Sequence, residues 1–274
     1  MNAKATVKAV RSLAIGCALL GTAIAASALA QEFSYNGDTG PAYWHELNPT
    51  DWAACEGMGM AQSPINIRTV KPDNTLKPLD LVTFPTTIDI FNNGHTIEQR
   101  YEDTGTMIYF EGVAYELLQF HFHTLSEHTI GARHSLIEMH LVFGEMGGDT
   151  NLVVAQLFEA GQPVNDFIQA LIDAGLPQKD GDETQTTDLI DVSDGLADTK
   201  SYYTYQGSLT TPPCSEVVTW VVLKKPAIVT QSQYQAFRRI LGNNFRPIQD
   251  TADRVVRTTV RGGPWYKSRG NEKK

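Results

Sequence analysis

The stretch Gln119-Phe120-His121-Phe122-His123, followed by Ser126-Glu127-His128 and by Glu138-Met139-His140, holds most of the chain's seven histidines. In an extended strand successive side chains point to opposite faces, so His121 and His123 share one face and Phe120 and Phe122 take the other. Residues Ser135 to Phe143 read as a second strand, on which Glu138 and His140 share a face. If the two strands neighbour each other, three imidazoles and no thiolate converge. That is a ligand set for a tetrahedral zinc ion whose fourth position stays open to water. Any one of these histidines alone reads as a core residue. Together, in strands otherwise built from Phe, Leu and Val, they favour a metal: burying several imidazoles without partners is costly, and a metal supplies one for each.

The elements that must hold these residues are mostly short β segments. Leu81 to Phe91, Thr96 to Tyr101, Thr106 to Phe110, Val113 to Thr124, Ser135 to Phe143, Leu152 to Glu159, Tyr202 to Tyr205 and Glu216 to Leu223 are rich in β-branched and aromatic residues and bounded by turn signals. Asn92-Asn93-Gly94 marks a tight turn. Two helices interrupt the pattern. One places Val164, Phe167, Ile168, Leu171 and Ile172 at helical spacing before Gly175 and Pro177; the other opens on a Thr230/Gln233 capping box ahead of Tyr234, Phe237, Ile240 and Leu241 and ends at Gly242. The acidic, Thr-rich stretch from Lys179 to Asp198 reads as a solvated surface loop. Gly207 to Glu216 contains Pro212-Pro213, which cannot donate to a ladder, and reads as a rigid loop entering a strand. No repeat or linker divides the chain.

Residues Met1 to Ala30 carry Lys4, Lys8 and Arg11, then an apolar run, then Ala28-Leu29-Ala30, the three parts of a secretory signal peptide cleaved after Ala30. This gives a leader, residues 1–30, and one domain, residues 31–274. Removing three basic residues from 22 Lys+Arg leaves 19 against 31 Asp+Glu, a net charge of −12. Such a surface repels nucleic acid and anionic lipid, and no later segment is apolar enough to span a membrane. Cys17 leaves with the leader. Cys55 and Cys214 remain as one pair, expected to form a disulfide in an oxidising compartment and to add on the order of 4 kcal/mol at most.

The chain resembles the α-class carbonic anhydrases, of the secreted bacterial kind, from about Phe33 to Gln249. The resemblance is carried, in family order, by Tyr35 with Gly40-Pro41 and Trp44, Gln62 to Ile67, Asn92 to His95, the histidine stretch through Val142, Ser208 to Pro213, Val218-Thr219-Trp220 and Asn244 to Pro247. It implies a single, predominantly β domain with a large twisted, mostly antiparallel central sheet and short peripheral helices. It also implies reversible hydration of CO₂ to bicarbonate and a proton by attack of a zinc-bound hydroxide, with side activity on activated esters. His121, His123 and His140 would bind Zn²⁺. Thr210, with Glu127 accepting its hydroxyl hydrogen, would orient the nucleophile.

By the same resemblance Gln119, Glu138 and the main chain at Asn244 would hold the three ligands, and His95 would shuttle protons with Tyr35 and Asn93 ordering the path. Val142, Val154, Leu209, Thr211 and Trp220 would line the substrate pocket. The location would be periplasmic or secreted, and a homodimer is possible. The alternative is a non-catalytic zinc-binding or assembly module of the same fold; such relatives typically lack a ligand, whereas all three are present here. One departure from the family pattern is Glu98, which stands where many relatives carry an amide.

Overall fold

The computed structural model describes residues 32–57, 61–101 and 104–260. The expected leader, Met1 to Ala30, lies outside these residues. Among the described residues the dominant element is a thirteen-stranded mixed sheet. Its central run places Thr86–Asn92, Ile97–Arg100, Val113–His123, Ile137–Glu145 and Asn151–Ala160 side by side, each antiparallel to the next. Val218–Leu223 then joins Asn151–Ala160 in parallel, and Tyr202–Gly207 follows antiparallel. The sheet is therefore mostly antiparallel, as the resemblance implies. No helix among the described residues is long and apolar enough to cross a membrane.

Each face of the sheet carries its own core. On one side Phe120, Phe122, Met139, Leu141, Phe143 and Val154 pack with Phe167, Ile168 and Leu171 of the helix Asp166–Ala174 and with Tyr234 and Phe237 of the helix Gln231–Leu241. On the other, Ile65, Ile67, Val153, Ala155, Tyr205, Trp220 and Val222 form a smaller apolar cluster. Both helices begin where their caps dictate. The Asn165 side chain accepts from the Ile168 amide, and Thr230 and Gln233 close the expected capping box, satisfying amides that have no partner within the helix.

The strand Val113–His123 does not alternate strictly. Its register against Ile137–Glu145 shifts between Leu117, opposite Phe143, and Gln119, opposite Val142, so Leu118 is an extra residue in a bulge. The bulge reverses the phase of the side chains. Leu117 and Phe120 both enter the helix-side core, while Gln119, His121 and His123 turn to the opposite face. In an uninterrupted strand Leu117 would share the face of the histidines.

Two expectations are corrected. The segment Lys179 to Asp198 is not merely a loop: Glu183–Ile190 is a strand, antiparallel to Thr86–Asn92 at the sheet edge, and Val192–Gly195 is a short 3₁₀ turn. Its side chains are mostly exposed, and an edge strand made of Thr, Gln and acidic residues lacks the apolar alternation that betrays a strand. The expected strand Leu81 to Phe91 is two strands, Asp80–Val82 and Thr86–Asn92, separated around Pro85, which has no amide to give the ladder.

Candidate metal centre

His121 on the first ligand strand lies directly opposite His140 on the second, and His123 pairs with Glu138. Ring centroids are 5.1 Å apart for His121 and His123, 5.2 Å for His121 and His140, and 4.6 Å for His123 and His140. One nitrogen from each ring lies within 4.8 Å of the others.

The outer nitrogens are all held by acceptors. His121 Nδ1 meets Gln119 Oε1 at 2.8 Å, His123 Nδ1 meets the Asn244 carbonyl at 2.6 Å, and His140 Nε2 meets Glu138 Oε1 at 2.7 Å. An oxygen that can only accept requires the proton on the facing nitrogen. The lone pairs are thereby fixed on His121 Nε2, His123 Nε2 and His140 Nδ1, the atoms that face inward. Burial, reinforced by the neighbouring imidazoles, pushes the pKa of His121 well below its ordinary value; burial likewise lowers that of His123. Burial alone would raise Glu138, but its contacts with His128 and His140 hold it well below the usual carboxylate range.

The fit to a cation can be read from two atoms. His123 Nε2 and Glu127 Oε2 are buried, 3.6 Å apart, and neither has a hydrogen-bond partner. An unsatisfied buried acceptor costs about 1–3 kcal/mol, more when charged, and two acceptors facing one another cannot satisfy each other without a cation or proton between them. Three neutral imidazoles with converging lone pairs suit Zn²⁺.

Glu127 is fully buried and its Oε1 accepts from the Arg246 amide at 2.8 Å. The hydrogen bond from Thr210 that the resemblance implies is not formed, because Glu127 Oε2 points toward His123 and, at 4.0 Å, His140 Nδ1. Thr210 itself is buried in the loop after Tyr202–Gly207. That loop is fixed by Trp220, whose indole N–H donates to the Ser208 carbonyl at 3.1 Å, and by the disulfide between Cys55 and Cys214, whose Cα atoms are 5.2 Å apart.

Above the triad lies a cavity of about 230 Å³ whose walls include His121, His123, Tyr35, Asn93, His95 and Thr211. Asn93 Oδ1 accepts from the amides of His95 and Thr96 at 3.0 and 2.9 Å, so the Asn-Gly turn sets the direction of His95. The His95 ring stacks on Phe33, centroids 3.9 Å apart and planes 7° from parallel, and burial lowers its pKa against the pull of Asp180 and Glu32. The Tyr35 hydroxyl, pushed up by burial and by Glu127, keeps its proton.

Val142, Leu209 and Trp220 belong to the apolar cluster on the histidine face, but Val154 does not. It pairs with Leu141 and packs in the helix-side core. Val153, paired with Val142, occupies the site face instead, since a one-residue slip in a strand exchanges faces. Sequence reasoning also gave no role to His128. Its Nδ1 meets Glu138 Oε1 at 2.6 Å, its amide donates to Glu138 Oε2 at 2.8 Å, and its Nε2 meets the Tyr205 hydroxyl at 2.6 Å. Arg246, 1% exposed, was likewise missed. Its guanidinium donates to Gln62 Oε1 and to the carbonyls of Ser63 and Cys55. The spacing of His128 and Glu138, ten residues apart across a turn, carries no local signal.

Known proteins agree with this geometry. The family model for eukaryotic-type carbonic anhydrase matches residues 39–260. A carbonic anhydrase from a Nostoc species is 36% identical over 253 residues, 88% of this chain and 94% of that protein. Among solved structures, the α-carbonic anhydrase of Photobacterium profundum superposes with a TM-score of 0.76 at 33% identity, over 82% of this chain and 100% of the other. Dioscorin, solved as a complex with ascorbate, superposes with a TM-score of 0.77 at 30% identity, over 84% of this chain and all of the other. Fold, histidine cluster and sequence likeness lead to one conclusion: this chain belongs to the α-class carbonic anhydrase family.

Proposed function

We propose that the protein is an exported zinc enzyme that converts CO₂ and water reversibly to bicarbonate and a proton, working in the periplasm or outside the cell once residues 1–30 are removed. The observation that carries this reading is the pair of buried, partnerless atoms His123 Nε2 and Glu127 Oε2 beside three converging imidazole lone pairs. His121, His123 and His140 would hold the ion, each oriented by Gln119, Asn244 or Glu138. When bound, Zn²⁺ supplies Lewis acidity, bringing the pKa of a coordinated water to about 7 from 15.7 in bulk, the value established for carbonic anhydrases.

The remaining work falls to side chains. Glu127 Oε2 has unused lone pairs; turned from His123 toward Thr210, it would accept the threonine hydroxyl hydrogen, leaving the threonine oxygen able only to accept and so orient the nucleophile. Val142, Val153, Leu209 and Trp220 offer uncharged CO₂ a dry wall. His95, half-buried and held by Asn93 and Phe33, would pass the released proton to buffer. Slow hydrolysis of activated esters is expected from the same centre. The disulfide supports the exported location.

Stopped-flow CO₂ hydration by residues 31–274, before chelation, after it and after zinc is returned, tests the reading. Activity should vanish and come back in step with one zinc equivalent. A protein that holds its zinc and leaves CO₂ unchanged would be a binding module, and the enzyme reading would fall.

A further inference from the structure

The cleft carries a charge bias that CO₂ hydration by itself does not require. Among the described residues lining the cavity there is no Lys or Arg, and there is one carboxylate, Glu98. Glu98 lies opposite His121 on the neighbouring strand Ile97–Arg100, and cross-strand partners share a face, so its side chain stands on the histidine side of the sheet. Arg100, on the same strand and face, sits over the Phe91 ring at 4.0 Å and within 3.7 Å of Glu183. Asp180 and Glu32 both act electrostatically on His95, which lines the same cavity. A narrow cleft with apolar walls focuses such charge on whatever passes through it.

CO₂ crosses this field uncharged; bicarbonate and other small anions do not. We propose that Glu98, assisted by Asp180 beside the Gly94 turn and by Glu32, makes the cleft selective against anions, speeding the departure of bicarbonate and weakening the hold of competing monovalent anions. This specificity rests on the CO₂-hydrating role proposed above. It extends to the proton acceptor: neutral amine buffers should drain His95 better than phosphate.

Thiocyanate serves as the probe, titrated calorimetrically into the zinc-loaded protein at low ionic strength. Glu98→Gln should tighten thiocyanate binding about three- to tenfold, as expected for removing one like charge a few ångströms away in a partly solvated site. Asp180→Asn should tighten it less, and Glu98→Asp, which keeps the charge, should stay within about twofold of the parent. The KM for bicarbonate should fall with the thiocyanate Kd while the KM for CO₂ hardly moves, and added salt should shrink the difference. Equal thiocyanate affinities in parent and Glu98→Gln, in an enzyme that hydrates CO₂, would overturn this inference alone. Tighter binding by Glu98→Gln in a protein inert toward CO₂ would uphold the electrostatic assignment and remove the proposed function.

Discussion

His123 and His128 are equally buried, five residues apart, and chemically opposite. Both nitrogens of His128 are engaged, one by Glu138 and the other by the Tyr205 hydroxyl, in a network that continues to Ser63. His123 has its outer nitrogen on the Asn244 carbonyl and its inner nitrogen on nothing. Burial of an imidazole therefore does not mark a ligand; a buried lone pair with no partner does. The grouping of His128, Glu138 and His140, close enough to suggest a second metal site, is accounted for by hydrogen bonds that use Glu138 as their shared acceptor.

The comparison is broken most sharply by His123→Ala, which should take bound zinc from one equivalent to none after dialysis and abolish CO₂ hydration; retention of both would falsify the ligand assignment. His128→Ala should act differently. Glu138 would lose the imidazole's hydrogen bond while keeping that of the residue-128 amide, and the Tyr205 hydroxyl would lose its partner, together costing about 1–3 kcal/mol of stability by thermal melting. Zinc affinity should weaken about 10–100-fold through the loosened His140, yet a full equivalent should bind at saturating metal. A His128→Ala protein unable to take up zinc at any concentration would erase the distinction between the two histidines.

Acid offers a third probe. His121 and His123 have folded pKa values below their ordinary 6.5, so in the zinc-free protein the unfolded chain takes up their protons first as pH falls. Glu138, held below its ordinary 4.5, adds a second loss in the same direction at lower pH. Both groups bind more protons unfolded than folded, so stability should decline as pH drops through about 6.5 and again below about 4.5. Melting curves of the apoprotein from pH 4 to 8 check this, and a midpoint that rises on acidification would contradict the assigned lone pairs.

The smallest effect is expected at the half-exposed end of the series. His95→Ala should slow turnover up to about 100-fold in dilute buffer and recover with added imidazole. Phe33→Ala, which removes the ring stacked on His95 and also its edge contacts with Tyr35, Trp44 and Trp52, should shift turnover by severalfold and leave zinc content untouched. Indifference of both variants to buffer would take the shuttle role from His95.

Much of the site could be read in the strand period. Alternation alone put His121 with His123 and Glu138 with His140, and Gln119 and Glu138, each two residues before a ligand on the same face, hydrogen-bond to His121 and His140. The pocket wall was harder. Val153 and Val154 are the same residue type in adjacent positions, and only the pairing of Val153 with Val142 and of Val154 with Leu141 assigns them to opposite cores. The edge strand Glu183–Ile190 escaped notice because its solvent-facing side chains leave no apolar period to detect.

The sequence by itself determined which residues could be ligands, where the capping box opens the helix Gln231–Leu241, and where both long helices stop, because these follow from local spacing and capping. Tertiary structure alone decided that His140 faces His121, that a bulge at Leu118 turns Gln119 and both strand histidines to the site face, and that Glu127, Arg246 and His128 meet around them. Contacts between segments distant in the chain depend on strand register and on which buried acceptors remain unpaired, and neither quantity exists until the sheet has formed.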